Sequence, residues 1–487
     1  MHWASIDEFS NKLTMYKWAR AVDRENPTWA FSYGYQPLDA GLTIGAAVSS
    51  GVVPFEAQTP EMTLSVNTAF RERWFSFIQE HDQALLDTPH AAQTGIWYSS
   101  ATRDYQDGPI GMYGMYVTTT PPTIDPDWWS DDPDDSALTK PHLGGYRGAA
   151  HAMIKLHVPF KVIADPGDPA GELANIKFLW LPSVTAISDA AAETIKNFVA
   201  NGGVLLATGE TPGTMDEWGN IRSENIFQEL FNSPLTTTGE QSNTHGNGIV
   251  IYNPELRGAD LFASVGDPNK ANQGLNIVEQ LVRTHVQDDL IVTAPDGVHV
   301  EVGRASETEH YLYVLNYSGL QQPLAASPQN IGIEYRTPAG YRITGASAET
   351  PDVNGQSGSL PLQQTAEQYY GLEVHVDQFT LIKLTLEPTN VTPTAAFVFS
   401  CTDLSCGFTD QSVDSDGTVT AWSWNFGDGG SSAERNPNHT YTSTGTSTVA
   451  LTVTDDSGLT HSVSQDVTVT GAIKRAVIHP ILFILFQ

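Results

Sequence analysis

The sequence predicts a multi-domain chain, α/β in its first half and all-β in its second. Three observations predict this. Up to about residue 235, short apolar runs alternate with stretches whose apolar residues recur at helical spacing. Beyond it, apolar and polar residues alternate and the pattern breaks at Gly, Pro and Asn, as in antiparallel sheet. The length, 487 residues, exceeds what one core holds.

Residues 1–90 read as helix and strand in turn. A helical stretch from Phe9 to Arg24 precedes the strand PTWAFSYGY. The small-residue helix LTIGAAVSSG and the strand VVPFE follow. FRERWFSFIQEHDQALL then carries Phe70, Trp74, Phe77, Ile78 and Leu85 on one helical face. This is βα material, too short to close a β/α barrel, which takes about 200 residues or more. A partial barrel segment is the expectation.

Residues 91–235 form a clearer α/β unit. TGIWYSS is a strand and YRGAAHAMIKLHV a helix. FKVIA and KFLWLPSV are strands of near-continuous apolar character, as buried parallel strands are. SDAAAETIKNFVANGG is a helix with Ser188 as N-cap and Gly202 and Gly203 as its stop. VLLATGE is the next strand. The order points to a flavodoxin-like three-layer α/β/α domain, interrupted by an insertion from Asp104 to Leu143.

Residues 236–388 read as a β-sandwich, with HYLYVLNYSG, NIGIEYRT, GYRITGASAET and LEVHVDQFTLIKLTLE as its strands. Residues 389–395, within EPTNVTPTA, form a linker rich in Pro and Thr. Residues 396–470 are again all-β, with turns at DSDG, FGDGG and DDSG. The tail, 471–487, ends in VIHPILFILFQ, which is apolar but shorter than the roughly 20 residues that span a bilayer. A truncated anchor, a translation artefact and a packing strand all fit it. MHWASIDEFSNKL has neither the basic nor the apolar region of a secretory leader, so a leader was removed or the chain begins inside a longer protein.

Lys+Arg number 24 against 56 Asp+Glu, a formal charge of −32, while charged residues total only 16%. Such a surface repels phosphate backbones, which argues against nucleic acid as a partner, and it suits a salty or extracellular setting. Cys401 and Cys406 are the two cysteines. Within FVFSCTDLSCGF they face each other across a hairpin, which reads as a local disulfide and an oxidising compartment. The alternative is a pair of reduced, half-buried thiols. No G-x-S-x-G, H-E-x-x-H, P-loop or G-x-G-x-x-G motif occurs. The 14 His show no metal-ligand spacing. No cofactor is expected.

Two resemblances add to this reading. Trp424 to Gly429 (WNFGDG), Asn436 to Tyr441 (NPNHTY) and TVALTVTDDSG occur together in the last module and resemble a PKD domain, an immunoglobulin-like sandwich. The resemblance implies an extracellular spacer or adhesion module, of a kind often joined to secreted hydrolases. Asp414, Asp416 and Asp428 are its candidate calcium ligands, with turn formation as the leading reading of all three.

The second covers about 1–388. GGYRGAAHAMIKLHVPFKVI, KFLWLPSVTAISDAAAETIKNFVANGGVLLATGET and MDEWG (Met215 to Gly219) resemble the amidotransferase-like middle domain of family 42 glycoside hydrolases, the β-galactosidase type. NPTWAFSYGY, SSGVVPFEAQTPEM and FRERWFSFIQEH are similar to the end of the barrel in related proteins. The resemblance implies a secreted glycosidase acting on β-galactosides or related poly- or oligosaccharides, with homo-oligomer contacts through the α/β domain. A non-catalytic carbohydrate-binding or cell-surface protein is the rival. In class I glutamine amidotransferases the turn matching VLLATGET carries a nucleophilic Cys. Here it holds Gly209 and Glu210, so a structural role is expected.

Glycoside hydrolysis needs two carboxylates, roughly 5 to 10 Å apart, supplied in a barrel from the carboxyl ends of different strands. Glu56 ends VVPFE and is the first candidate. Glu61 is the second and Asp39 a weaker third. The acid/base Glu of the family comes from an earlier strand, and Asp7 and Glu8 lie before the first strand without any mark. A truncated inactive barrel, a barrel completed by another chain, and a different fold of residues 1–90 all remain open. Trp29 and Tyr33, near strand ends, are the candidates for stacking on sugar, with packing in the core as the alternative reading. Trp128 and Trp129, in the acidic insertion DPDWWSDDPDDS, fit a lid or a calcium loop, and equally a solvated loop.

Overall fold

A computed structural model describes residues 6–22, 28–31, 37–55, 65–107, 116–117, 123–124, 140–165, 169–231, 234–261, 268–286, 289–318 and 327–471. The chain divides into two compact units, Met1–Thr337 with Ile343–Leu386, and Pro338–Arg342 with Glu387–Gln487.

The first unit opens with α1 (Ile6–Val22), β1 (Trp29–Phe31), α2 (Pro37–Val48), β2 (Val53–Phe55) and α3 (Ser65–Glu80). β1 and β2 pair in parallel, Trp29 opposite Val53 and Phe31 opposite Phe55, so α2 is the crossover of a βαβ unit. α2 is apolar all round and buried from Ala40 to Val48, which seals it inside the unit. Trp74 of α3 is fully buried, with its ring 5.9 Å from that of Phe379.

The α/β domain follows as β3 (Thr94–Ser99), the one-turn α4 (Ser100–Thr102), the two-residue strands β4 (Tyr116–Val117) and β5 (Thr123–Ile124), α5 (Pro141–Lys155), β6 (Phe160–Asp165), α6 (Pro169–Leu173), β7 (Phe178–Pro182), α7 (Asp189–Ala200), β8 (Val204–Thr208), α8 (Gln228–Phe231), β9 (Gln241–His245) and β10 (Gly248–Asn253). The sheet order is β6-β3-β7-β8-β10-β9. The first five are parallel and β9 is an antiparallel edge. The flavodoxin-like order is present, with the topological switch between β3 and β7. β3, β7 and β8 are buried at every residue, as their unbroken apolar runs require. Ser188 caps α7 by accepting the Ala191 N–H at 3.2 Å, worth about 1 kcal/mol. The sheet continues past residue 235, where the change to antiparallel texture was placed. β9 does alternate in burial, but its partner is β10, which extends the parallel sheet.

After α9 (Pro268–His285), two antiparallel sheets are built from β11 (Leu290–Thr293), β12 (Val298–Arg304), β13 (Glu309–Asn316), β14 (Gln329–Arg336), β15 (Tyr341–Glu349), β16 (Gly358–Ser359), β17 (Gln363–Ala366), β18 (Tyr369–Val376) and β19 (Phe379–Pro388). Their orders are β11-β14-β18-β17 and β12-β13-β19-β15-β16.

One buried cluster ties α1, β6 and β12 together. Lys17 Nζ donates to Glu301 Oε1 at 2.5 Å and to Phe160 O at 2.9 Å. His299 Nε2 donates to the same carboxylate oxygen at 2.6 Å, and His90 Nδ1 lies 3.9 Å from the other. Burial pushes the Glu301 carboxyl up, but Lys17, His299 and His90 together outweigh burial and hold it at about 2. Burial lowers His90 to about 4 and lowers His299 as well.

The second unit contains β20 (Phe397–Thr402), β21 (Ser405–Asp410), β22 (Val419–Asn425), β23 (Ser431–Ser432), β24 (Asn438–Thr440), β25 (Gly445–Asp455) and β26 (Thr460–Val469). They form sheets of order β20-β21-β24 and β23-β22-β25-β26. Trp424 is 1% exposed, packs against Phe397 and Phe408, and donates from Nε1 to Glu434 O at 2.9 Å. The turn glycines Gly427 and Gly429 have φ of +82° and +96°, and Tyr441 donates its hydroxyl proton to Phe426 O at 3.2 Å. Cys401 and Cys406 pair across the β20–β21 hairpin and are joined by a disulfide.

Candidate functional site

Ligands of open parallel sheets bind outside the carboxyl ends of the strands, near the switch point. Here the described polar groups at the β3 and β7 ends pair with one another. The Ser99 N–H donates to His142 Nε2 at 3.0 Å, and Ser99 Oγ donates to Ala186 O at 2.8 Å. His142 Nδ1 donates to Pro182 O at 2.8 Å. Asp107 accepts the backbone N–H groups of His142 and Leu143, at 3.2 and 2.8 Å, and so caps α5 from a distance. Burial raises the Asp107 carboxyl despite those two bonds, and burial lowers His142 to about 4. With its donors and acceptors paired among themselves, this network holds β3, β7 and α5 together rather than a ligand.

The VLLATGET turn is shaped as an elbow. Gly209 has φ +72° and Ser183, opposite it, has φ +49°. A Cβ added at Gly209 would overlap the Ser183 hydroxyl, which sits where a nucleophile's side chain would start. Tyr252 Oη donates to Gly209 O at 3.0 Å and braces the turn from the next strand. The elbow geometry is present without a reactive group.

Beside it stands a feature that the sequence reading did not single out. The turn from Met215 to Ile221 presents Trp218, 68% exposed, and Ile221, 84% exposed. Asp216 braces the turn by accepting the N–H groups of Trp218 and Asn220 at 2.9 and 2.8 Å. Arg222 fixes its exit through Ile187 O, at 2.7 Å. The Tyr105 ring, 51% exposed, lies against Gly219. Burial and the neighbouring Glu217 raise the Asp165 carboxyl. Exposed aromatic faces with carboxylates nearby have the chemistry of a sugar platform. The signal in the sequence was a Trp inside a D-x-x-G turn, quoted there for resemblance alone.

Of the expected site residues, Glu56, Glu61, Tyr33, Trp128 and Trp129 lie outside the described residues. Trp29 opens β1, and its side chain is likewise outside them. Asp428 accepts from His439 Nε2 at 2.8 Å and from the Gly430 N–H at 2.9 Å. The calcium set Asp414, Asp416 and Asp428 is therefore not assembled. Among the described residues, no group of three or more His, Cys, Asp or Glu is placed to hold a metal ion. No described helix is long and apolar enough to cross a membrane.

The paired sheets, the buried Trp424 and the glycine turns of the second unit agree with a family model for the PKD domain over residues 390–471. This segment is a PKD domain. It is 37% identical to the PKD1 domain of Vibrio anguillarum Epp, covering 17% of this chain and 99% of that one, with a TM-score of 0.17. Over the remainder, a GH42 β-galactosidase from G. stearothermophilus is 13% identical, covering 80% of this chain and 58% of its own, with a TM-score of 0.48. An α-L-fucosidase from Paenibacillus thiaminolyticus is 10% identical, covering 72% and 58%, with a TM-score of 0.48. The chain thus spans 58% of the length of these two glycosidases. At that identity the likeness assigns no activity. No curated protein matches the chain in sequence.

Proposed function

We propose that this is an extracellular glycoside-hydrolase-like protein, acting on β-galactosides or related oligosaccharides, with its PKD domain as a spacer. The observation that carries the reading is the parallel pair β1–β2 joined by α2. Glu56 is the residue immediately after β2, at the carboxyl end where a barrel places its catalytic carboxylates. In this reading Glu56 is one member of a carboxylate pair, Glu61 is the next candidate, and Trp29 and Tyr33 stack on the sugar. The Gly209 elbow supports a structural role for the α/β domain, which leaves bond cleavage to the barrel segment. The PKD domain and the Cys401–Cys406 disulfide support an oxidising, extracellular setting.

Hydrolysis of a panel of chromogenic glycosides, β-galactosides included, by the chain and by Glu56→Gln tests this. Turnover by the parent that the variant loses, with folding intact, supports the reading. Turnover unchanged in the variant overturns the role of Glu56.

One observation favours the non-catalytic alternative, a carbohydrate-binding protein. Trp218 is presented to solvent on a braced turn, with the exposed Tyr105 ring against that turn and Asp165 and Glu217 beside it. Quenching of Trp fluorescence by neutral oligosaccharides, abolished in Trp218→Ala, with no turnover by the parent chain, would select that alternative.

A further inference from the structure

The PKD sandwich is open along one strand. β20 stands at the margin of its sheet, with β21 on one side and, among the described residues, no strand on the other. Phe399 pairs with Phe408 and Cys401 with Cys406, so this face of β20 is the one turned to the core. Yet Phe399 is 36% exposed where Phe408 is 2% exposed. Val398, on the outer face, is 47% exposed. We infer that the apolar run ILFILF, residues 481–486 of the same chain, docks along β20 as an added edge strand. That run lies outside the described residues.

The edge itself is the first argument. Natural sheets protect an edge strand with charges, Pro or a bulge. FVFSCT, the sequence of β20, has no charge and no Pro, and its register with β21 runs without a shift. Its free backbone N–H and C=O groups form a template for one more strand. A core-facing Phe left open at such an edge lacks the neighbour that would cover it.

The match of the occupant is the second. Both β20 and ILFILF have six residues. In a strand, Ile481, Phe483 and Leu485 would share one face and Leu482, Ile484 and Phe486 the other. Both faces are then apolar, and β20 exposes an apolar residue on each, Phe399 and Val398. Ile and Phe favour strands, and Pro480 stands just before the run, where a strand tolerates it.

Reach is the third. β26 ends at Val469, after passing beside the start of β20. There Gln465 Nε2 donates to Phe397 O at 2.8 Å, and the Ala395 N–H donates to His461 Nδ1 at 2.9 Å. The nine residues 472–480 extend to roughly 30 Å, and a six-residue strand is about 20 Å long, so the run can fold back onto β20. A tether of this length gives an effective concentration on the order of millimolar, which favours this occupant over a second copy. The formal charge of −32 works against docking on an anionic lipid surface instead.

Hydrogen exchange of the full chain, read by mass spectrometry, tests the inference. The comparison is with the double variant Phe483→Asp with Ile484→Asp, which charges both faces of the run and leaves the described sandwich untouched. The β20 peptide should exchange about 10-fold more slowly in the parent than in the variant. Peptides of β25, which is paired on both sides by β22 and β26, should exchange alike in the two proteins. Val398→Asp, on the β20 side of the contact, should speed exchange of β20 in the same direction. Equal β20 exchange in parent and double variant would overturn the inference, and so would a loss of protection shared by β25. Protection of β20 that rises with protein concentration would put a second copy on the edge and overturn it. Flotation of the parent with anionic phospholipid vesicles, lost in the double variant, would put the run in lipid and overturn it as well.

Discussion

Substituting Glu301→Gln isolates the electrostatics of the buried cluster with little change of shape. In the parent, Lys17 donates to Glu301 and to Phe160 O, and its ammonium lies 4.5 Å from the Phe160 ring centroid. Two routes give the magnitude. The Glu301 carboxyl falls from an ordinary 4.5 to about 2, which corresponds to about 3 kcal/mol of folding stability at neutral pH. Breaking one side of a buried ion pair costs about 3–5 kcal/mol, because the other charge stays buried without its partner. The routes agree, so Glu301→Gln and Lys17→Met should each destabilise the first unit by about 3 kcal/mol. Removing both charges in Lys17→Met with Glu301→Leu should recover most of that loss, since neither charge is then buried alone. Because the folded pKa is depressed, the carboxylate's contribution is present above pH 4.5 and fades as pH falls through about 2. Urea unfolding read by far-UV circular dichroism, fitted to separate transitions for the two units, measures these values. A loss below about 1 kcal/mol in Glu301→Gln, or a double variant no more stable than either single one, would refute the reasoning.

Three further outcomes follow from the same kind of argument. His142 and His90 are held neutral by burial at about 4 against an ordinary 6.5, so the unfolded chain takes up protons first. First-unit stability should fall as pH drops from 6.5 toward 4, by up to about 3 kcal/mol for each fully buried histidine, and His142→Gln should flatten that slope in urea titrations across pH. Replacing both cysteines, Cys401→Ser with Cys406→Ser, opens a loop of sequence separation 5 and should cost the PKD domain about 2 kcal/mol, seen as a lowered melting transition of that unit alone. Gly209→Ala combines a left-handed backbone with an overlap on Ser183, so it should destabilise the first unit by about 2 kcal/mol or more, and Gly209→Cys should lose stability likewise without gaining thiol-dependent activity.

Local physics made part of this molecule legible in advance. The helix cap at Ser188, the buried run FLWLP and the φ > 0 turns at Gly427 and Gly429 each depend on residues close in sequence, and each is present. Periodicity reports which residues are buried and leaves the pairing partner open, which is why the region from 236 onward was assigned as a whole to the sandwich while β9 and β10 extend the parallel sheet. The Lys17–Glu301 pair joins residues 284 apart. Nothing local marks such residues, because a buried charge pair is defined only once the layers have packed. The VLLATGET turn shows how shape and chemistry separate. Backbone strain at Gly209, the bracing bond from Tyr252 and the Ser183 hydroxyl build the elbow, and the sequence alone excluded the thiol. What remains is a rigid corner between β7, β8 and β10. The turn that carries Trp218 leaves from this corner, where the Gly213 N–H donates to Val184 O at 3.0 Å and the Met215 N–H to Thr185 O at 2.9 Å, so the shape of the one fixes the start of the other.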